Sequence, residues 1–135
     1  MNGLTPTTGK YLADTSVLVK LLRGDETVKR RLLGLESIYI CIHILGELYV
    51  GAHKSKQATK NLVEIDDLSS TFVFISGDLE TARAYGILKR DLQVKGRMIP
   101  ENDLWIAATA LRHELTLITF DAHFDLIDHL TKERW

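Results

Sequence analysis

Residues Ile38–Ile42 read IYICI, five apolar side chains in succession, three of them β-branched isoleucines. A strand with one wet face would alternate apolar and polar residues. An unbroken run of this length instead predicts a strand covered on both faces, as in a parallel sheet. Directly after it, from about Ile44 towards Lys54, the apolar period becomes that of a helix, with Leu45, Leu48, Tyr49 and Ala52 on one stripe. A buried strand running into an amphipathic helix opens a βαβ unit, because parallel neighbours need a crossover between them.

The same alternation extends on both sides of this unit. Towards the start, Tyr11–Ala13 is a short strand candidate, and the helix after it places Val17, Leu18, Leu21 and Leu22 on a shared face. The preceding residues, MNGLTPTTGK, are polar and rich in Thr and Gly; they read as a loose leader over 1–10, which puts the domain at 11–135. Towards the end, a second helix is expected over Lys56–Leu68, a third strand over Phe72–Ile75, and an amphipathic helix over Asp78–Val94 that Gly96 stops. Pro100 opens a further helix, with Leu104, Ala107, Ala108 and Leu111 at helical spacing. Leu115–Phe120 (LTLITF) is the last clear strand, and a short helix follows it. The expectation is an α/β fold, a single domain with a mostly parallel sheet and right-handed crossovers.

Composition narrows the function classes. At 135 residues, 45% apolar and 26% charged, the chain can bury one substantial core and is unlike a disordered one. The net charge of −1 gives no global attraction to nucleic acid, so any such binding must rest on local basic patches or on bound metal. Cys41 is the single cysteine, which excludes an intrachain disulfide and suits a reducing compartment. No apolar run is long enough for a membrane span, and the first residues lack the apolar core of a signal peptide. A cytoplasmic location without membrane contact is expected.

In open parallel sheets, ligands bind outside the carboxyl ends of the strands. Asp14 directly follows the first strand candidate and Asp121 directly follows LTLITF; Asp103 lies three residues past Pro100, and Glu47 lies inside the helix after IYICI. Each has an ordinary alternative role. Asp14 can cap a helix, Asp103 can complement a helix N-terminus, and Asp121 can shape a turn. Glu47 lies roughly opposite its helix's apolar stripe, where a solvated Glu is normal, yet its neighbours there are His43, Gly46, Val50 and Gly51. Interior helix glycines are unfavourable by about 1 kcal/mol relative to Ala, and they permit close approach of a backbone or substrate. Four carboxylates meeting at one edge would repel unless a cation neutralised them. A hard divalent ion such as Mg²⁺ (or Mn²⁺) prefers carboxylate oxygens and could serve a phosphodiester by activating water and by stabilising charge on the phosphate.

With LADTSVLV (Leu12–Val19), GELYVGAHKS (Gly46–Ser55), IPENDLWIAATAL (Ile99–Leu111) and LTLITFDAHFD (Leu115–Asp125) in this order, the chain resembles the PIN-domain nucleases. In size and motif spacing it looks like the VapC toxins of bacterial toxin–antitoxin pairs. The resemblance implies a mostly parallel sheet of four or five strands with helices on both faces, and Asp14, Glu47, Asp103 and Asp121 as the catalytic, metal-holding quartet. It makes Ser16, Asn102 and Thr119 candidates for orienting those carboxylates. It further implies RNA cleavage without a covalent enzyme intermediate, homodimerisation, and inhibition by an antitoxin that enters the active-site groove.

Basic residues flank the acids: Lys54, Lys56 and Lys60 on one side, and Lys89, Arg90, Lys95 and Arg97 on the other. Such runs are usually solvated faces, but beside a metal site they could hold RNA phosphates. His123, two residues past Asp121, is a further candidate for substrate contact. Zinc is disfavoured, because no CxxC, HExxH or close histidine pair occurs. Tyr85 and Trp105 read as core or dimer-interface residues. An aspartate-nucleophile phosphatase would want a second acid at position 16, which is Ser16. A signalling receiver domain would want an acidic pair near the first strand and a lysine after the last. The remaining alternative is a PIN-like module that binds RNA or protein without cutting.

Overall fold

The computed structural model describes residues 7–135. Five strands form one sheet: β1 (Thr7–Ala13), β2 (Leu35–Cys41), β3 (Val73–Ile75), β4 (Thr116–Thr119) and β5 (Lys132–Arg134). Their order is β3-β2-β1-β4-β5, and every neighbouring pair is parallel. Six helices connect them: α1 (Thr15–Leu22), α2 (Glu26–Leu33), α3 (Ile42–Lys54), α4 (Ala58–Thr71), α5 (Leu79–Val94) and α6 (Glu101–Arg112). A short 3₁₀ helix, Ala122–Leu126, lies between β4 and β5.

The strand order reverses at β1 and β4. From β1 the chain moves outward through β2 to β3, then returns past both to place β4 on the other side of β1. With right-handed crossovers, that reversal puts α1–α4 on one face of the sheet and α5–α6 on the other. The central strands are therefore covered twice. Leu12, Ala13, Ile40, Leu117 and Ile118 are inaccessible to solvent, as are Val17, Leu18, Ile44 and Ile106 from the helices against them. Burying one such Leu or Ile side chain stabilises the fold by about 1.5–3 kcal/mol.

Of IYICI only Ile38–Cys41 belongs to β2, which starts three residues earlier at Leu35; Ile40 and Cys41 are buried, Ile38 and Tyr39 half-buried, and Ile42 is exposed as the first residue of α3. The expected leader is shorter than read, since Thr7–Lys10 belongs to β1 and its backbone pairs with β2 (Lys10 with Ser37). The register slips between Thr7 and Lys10, where Gly9 adopts φ +131°, a conformation that a side chain would strain. Residues 1–6 of that leader lie outside the described residues. Helix α5 ends as expected at Gly96 (φ +68°), whose N–H donates to Gln93 O while Arg97 N–H donates to Leu92 O. Two elements were not expected. Helix α2 buries only Val28 and Leu32, and β5 is a polar edge strand, KER. No helix among the described residues is long and apolar enough to cross a membrane.

Candidate active site

The strand reversal places the carboxyl ends of β1 and β4 side by side, and Asp14 N–H donates to Ile118 O across them (3.0 Å). Asp14 occupies the N-cap position of α1, yet its carboxylate makes no capping bond. Instead Oδ2 accepts from the hydroxyls of Ser16 and Thr119, each at 2.8 Å. Those hydroxyls lie 3.3 Å apart and also receive backbone donors, Phe120 N–H on Ser16 and Asp121 N–H on Thr119. One oxygen of Asp14 is thereby fixed by a small network that ties β4 to α1. The residue is only 4% exposed, and burial raises its pKa despite these bonds.

Asp103 sits in the first turn of α6, 7% exposed, with its Oδ2 3.1 Å from His123 Nδ1. Its carboxyl is pushed up to about 6, first by burial and then by the charge of Asp14; Asp121 and Glu47 add to the rise, and only the His123 contact opposes it. Asp121 caps the 3₁₀ helix by accepting from His123 N–H, so its turn role is real. Its Oδ1 also lies 3.1 Å from His123 Nδ1. Glu47 is exposed on α3 and is held from α1 by the Thr15 hydroxyl at 2.9 Å. Carboxylates from four elements thus meet at one edge of the sheet, close enough for three of them to raise the pKa of the fourth.

This donor set fits a hard divalent cation. The donors are mainly carboxylate oxygens, and ligand atoms of Asp103, Asp121 and His123 lie within 4.8 Å of one another; among the described residues Asp14 and Glu47 do not join that group. The carboxyl of Asp103 is raised first by burial and then by its acidic neighbours, and among the described residues no Lys or Arg pairs with it. His123 therefore stands against the acids themselves, nearer the candidate metal group than its expected role in substrate contact required.

Other expected residues stand elsewhere. Asn102 touches none of the four acids; its amide donates to His43 O at 3.1 Å and ties α6 to α3. Lys54 and Lys56 are exposed at the far end of α3, about two turns beyond Glu47, and make no ion pair among the described residues. Lys89 pairs with Glu101, Lys95 with Asp91 and Asp128, and Arg97 with Asp128, so these cations brace the α5–α6 loop. Thr15 was missed by sequence reasoning. Its one signal was adjacency to Asp14, and its bond to Glu47 depends on how α1 and α3 cross.

The comparisons agree with this geometry. The family model described as PIN domain matches residues 11–130. "Ribonuclease VapC2" of Haemophilus influenzae is 30% identical over 135 residues, an alignment covering 93% of this chain and 98% of that protein. The crystal structure of VapBC2 from Rickettsia felis bound to a DNA fragment from their promoter superposes with TM-score 0.87 at 29% identity, covering 93% of this chain and 98% of its own. VapBC-5 from Mycobacterium tuberculosis, a member of the VapBC family of toxin–antitoxin systems, superposes with TM-score 0.75 at 27% identity, covering 94% and 98%. By family model, relatives and fold alike, the chain belongs to the PIN-domain family and, within it, stands with the VapC proteins.

Proposed function

We propose that this chain is a metal-dependent endoribonuclease and the toxin of a toxin–antitoxin pair. The observation that carries the reading is the acidic grouping beside the carboxyl ends of β1 and β4: Asp103 and Asp121 share His123, and the charges of Asp14 and Glu47 bear on Asp103. The names of the relatives supply the substrate class, RNA. In this reading Asp103 and Asp121, with His123 beside them, would hold Mg²⁺ or Mn²⁺ together with Asp14 and Glu47. When bound, such an ion supplies activation of water and charge stabilisation on the phosphodiester.

The chain's own groups do the positioning. Ser16 and Thr119 restrain Asp14, and Thr15 restrains Glu47, so the carboxylates stay in place without metal. Cys41 is buried and its thiol is pushed up by burial. Direct attack by water, without a covalent enzyme intermediate, is what the resemblance to the PIN-domain nucleases implies. The acidic groove would also attract an Arg or Lys of an inhibitor, which gives a small cognate antitoxin its point of entry. A homodimer working in the cytoplasm completes the reading.

The test is cleavage of RNA by the purified chain with Mg²⁺ or Mn²⁺. Activity should vanish on chelation and fall by about 10²–10³-fold in Asp14→Asn. Undiminished cleavage under either treatment sinks the metal-dependent reading.

A further inference from the structure

Beside the acids, three aromatic rings from three helices stand parallel. Trp105 of α6 lies between Tyr85 of α5, at 3.9 Å between centroids and 9° between planes, and His43 of α3, at 5.4 Å and 6°. All three are only partly buried. The stack is registered to the site at two points. Asn102, next to Asp103, holds the carbonyl of His43, and Trp105 follows two residues after Asp103. His43 is also one helical turn from Glu47, close enough for that carboxylate to act on its pKa, although burial dominates and lowers it. The ring is therefore on the neutral side of the ordinary histidine value.

At His43 the stack borders an open cleft of about 580 Å³ lined by Ile42, His43, Gly46, Glu47, Val50 and Asn102. Its apolar lining is exposed, with Ile42 at 59% and Val50 at 56%. Gly46 leaves it roomy, since a Cβ there would meet nothing within 4 Å. The cleft thus has an aromatic edge, an aliphatic floor, and at its rim Glu47 of the acidic quartet.

We infer that this cleft is a nucleobase subsite: it takes one unpaired base of the RNA, beside the scissile phosphate, against the aromatic stack that His43 terminates. The inference rests on the ribonuclease reading of the neighbouring acids. Parallel rings are the geometry that a base extends, and every base offers a π-face, so the subsite accepts bases by shape and stacking. A base inside a duplex has both faces covered, so the subsite selects single-stranded or looped RNA. The separation of His43 and Glu47 by a single helical turn suits the span from a base to its own phosphate.

The test uses a short single-stranded RNA carrying 2-aminopurine, with binding measured in the Asp14→Asn background so that no cleavage intervenes. Binding should quench the fluorophore. His43→Ala should abolish the quench and raise Kd roughly tenfold or more. Gly46→Leu, whose Cβ would meet nothing within 4 Å and whose side chain would fill the cleft, should do the same, whereas His43→Phe should retain both signals. Pairing the RNA with its complement should remove the quench. In the active background, His43→Ala should raise KM and leave kcat nearly unchanged. An unaltered Kd and quench in His43→Ala and Gly46→Leu would overturn the subsite. So would a change in oligomeric state without a change in RNA affinity, which would make the cleft a protein contact. Cleavage without any quench keeps the enzyme and discards the subsite. A His43-dependent quench without metal-dependent cleavage supports the subsite and discards the nuclease reading.

Discussion

Asp103 and Asp78 carry the same carboxyl group in opposite surroundings. Asp103 is buried at the sheet edge with Asp14, Asp121 and Glu47 nearby, and its pKa is pushed up to about 6. Asp78 lies at the start of α5, where the Arg112 guanidinium and the N–H and hydroxyl of Thr81 hold it well below the usual carboxylate range. Asp128 resembles Asp78, being lowered by Lys95 and Arg97. On the flank of the molecule, Asp78 and Asp128 are matched by Arg112 and by Lys95 and Arg97 within hydrogen-bond distance; at the β1–β4 edge the acids gather around His123, with no Lys or Arg pair among the described residues. Charge arranged only for stability would resemble the flank. An edge that concentrates it has been shaped for a positively charged ligand.

The largest expected difference between the two regions is in activity. Asp14→Asn should lower metal-dependent RNA cleavage by about 10²–10³-fold, the scale of losing one preorganised electrostatic group. Asp78→Asn should leave kcat unchanged, and an equal loss there would erase the contrast. Next, Thr119→Val removes the buried hydroxyl from Asp14 at nearly constant volume. Cleavage or metal affinity should fall about 10–100-fold, as for other groups that orient a ligand, and metal titration separates the two.

The contrast was legible in the sequence only on its acidic side. Asp14 and Asp121 follow recognisable strands, and the rule that parallel sheets bind ligands at their carboxyl ends sufficed to pair them. The flank could not be read. Lys95 and Arg97 sit in a basic run, but their partner Asp128 comes 33 and 31 residues later, and no periodicity joins them. Helix α2 escaped notice because ETVKRRLL is short and mostly charged and buries only two side chains. Strand β5 escaped because an edge strand of charged residues has no alternation to betray it. His123 joins the acids only through the 3₁₀ turn that Asp121 caps, a geometry that no linear spacing announces.

Two smaller effects sharpen the comparison further. Mg²⁺ or Mn²⁺ should raise the melting temperature, by an amount equivalent to about 2.7 kcal/mol at a hundredfold excess over Kd. Asp103→Asn should lose most of that gain, while Asp78→Asn should keep it. Without metal, the two carboxylates should also give opposite pH dependences. The folded value of Asp103 exceeds the unfolded one of about 3.9, so the folded chain holds the extra proton between them. Its contribution to stability is therefore fully present below about pH 4 and is lost as pH rises through about 6. Asp78 and Asp128, with depressed values, contribute above their unfolded value, and that contribution is lost as pH falls. Thermal melts of Asp103→Asn across pH 4–7 should be flatter than wild type; a steeper decline would show that another group causes it.

Strand β4 lies against β1 in the sheet but is made more than a hundred residues later, and it carries both the carbonyl of Ile118 and the hydroxyl of Thr119 that hold Asp14. A growing chain that already contains Asp14, Glu47 and Asp103 still lacks the anchor of Asp14 until that segment emerges from the ribosome. Under the ribonuclease reading, this delay acts as a safety catch. An unfinished copy cannot attack the message it is being translated from, and a frameshift or clip ahead of β4 leaves an inert fragment rather than a weaker nuclease.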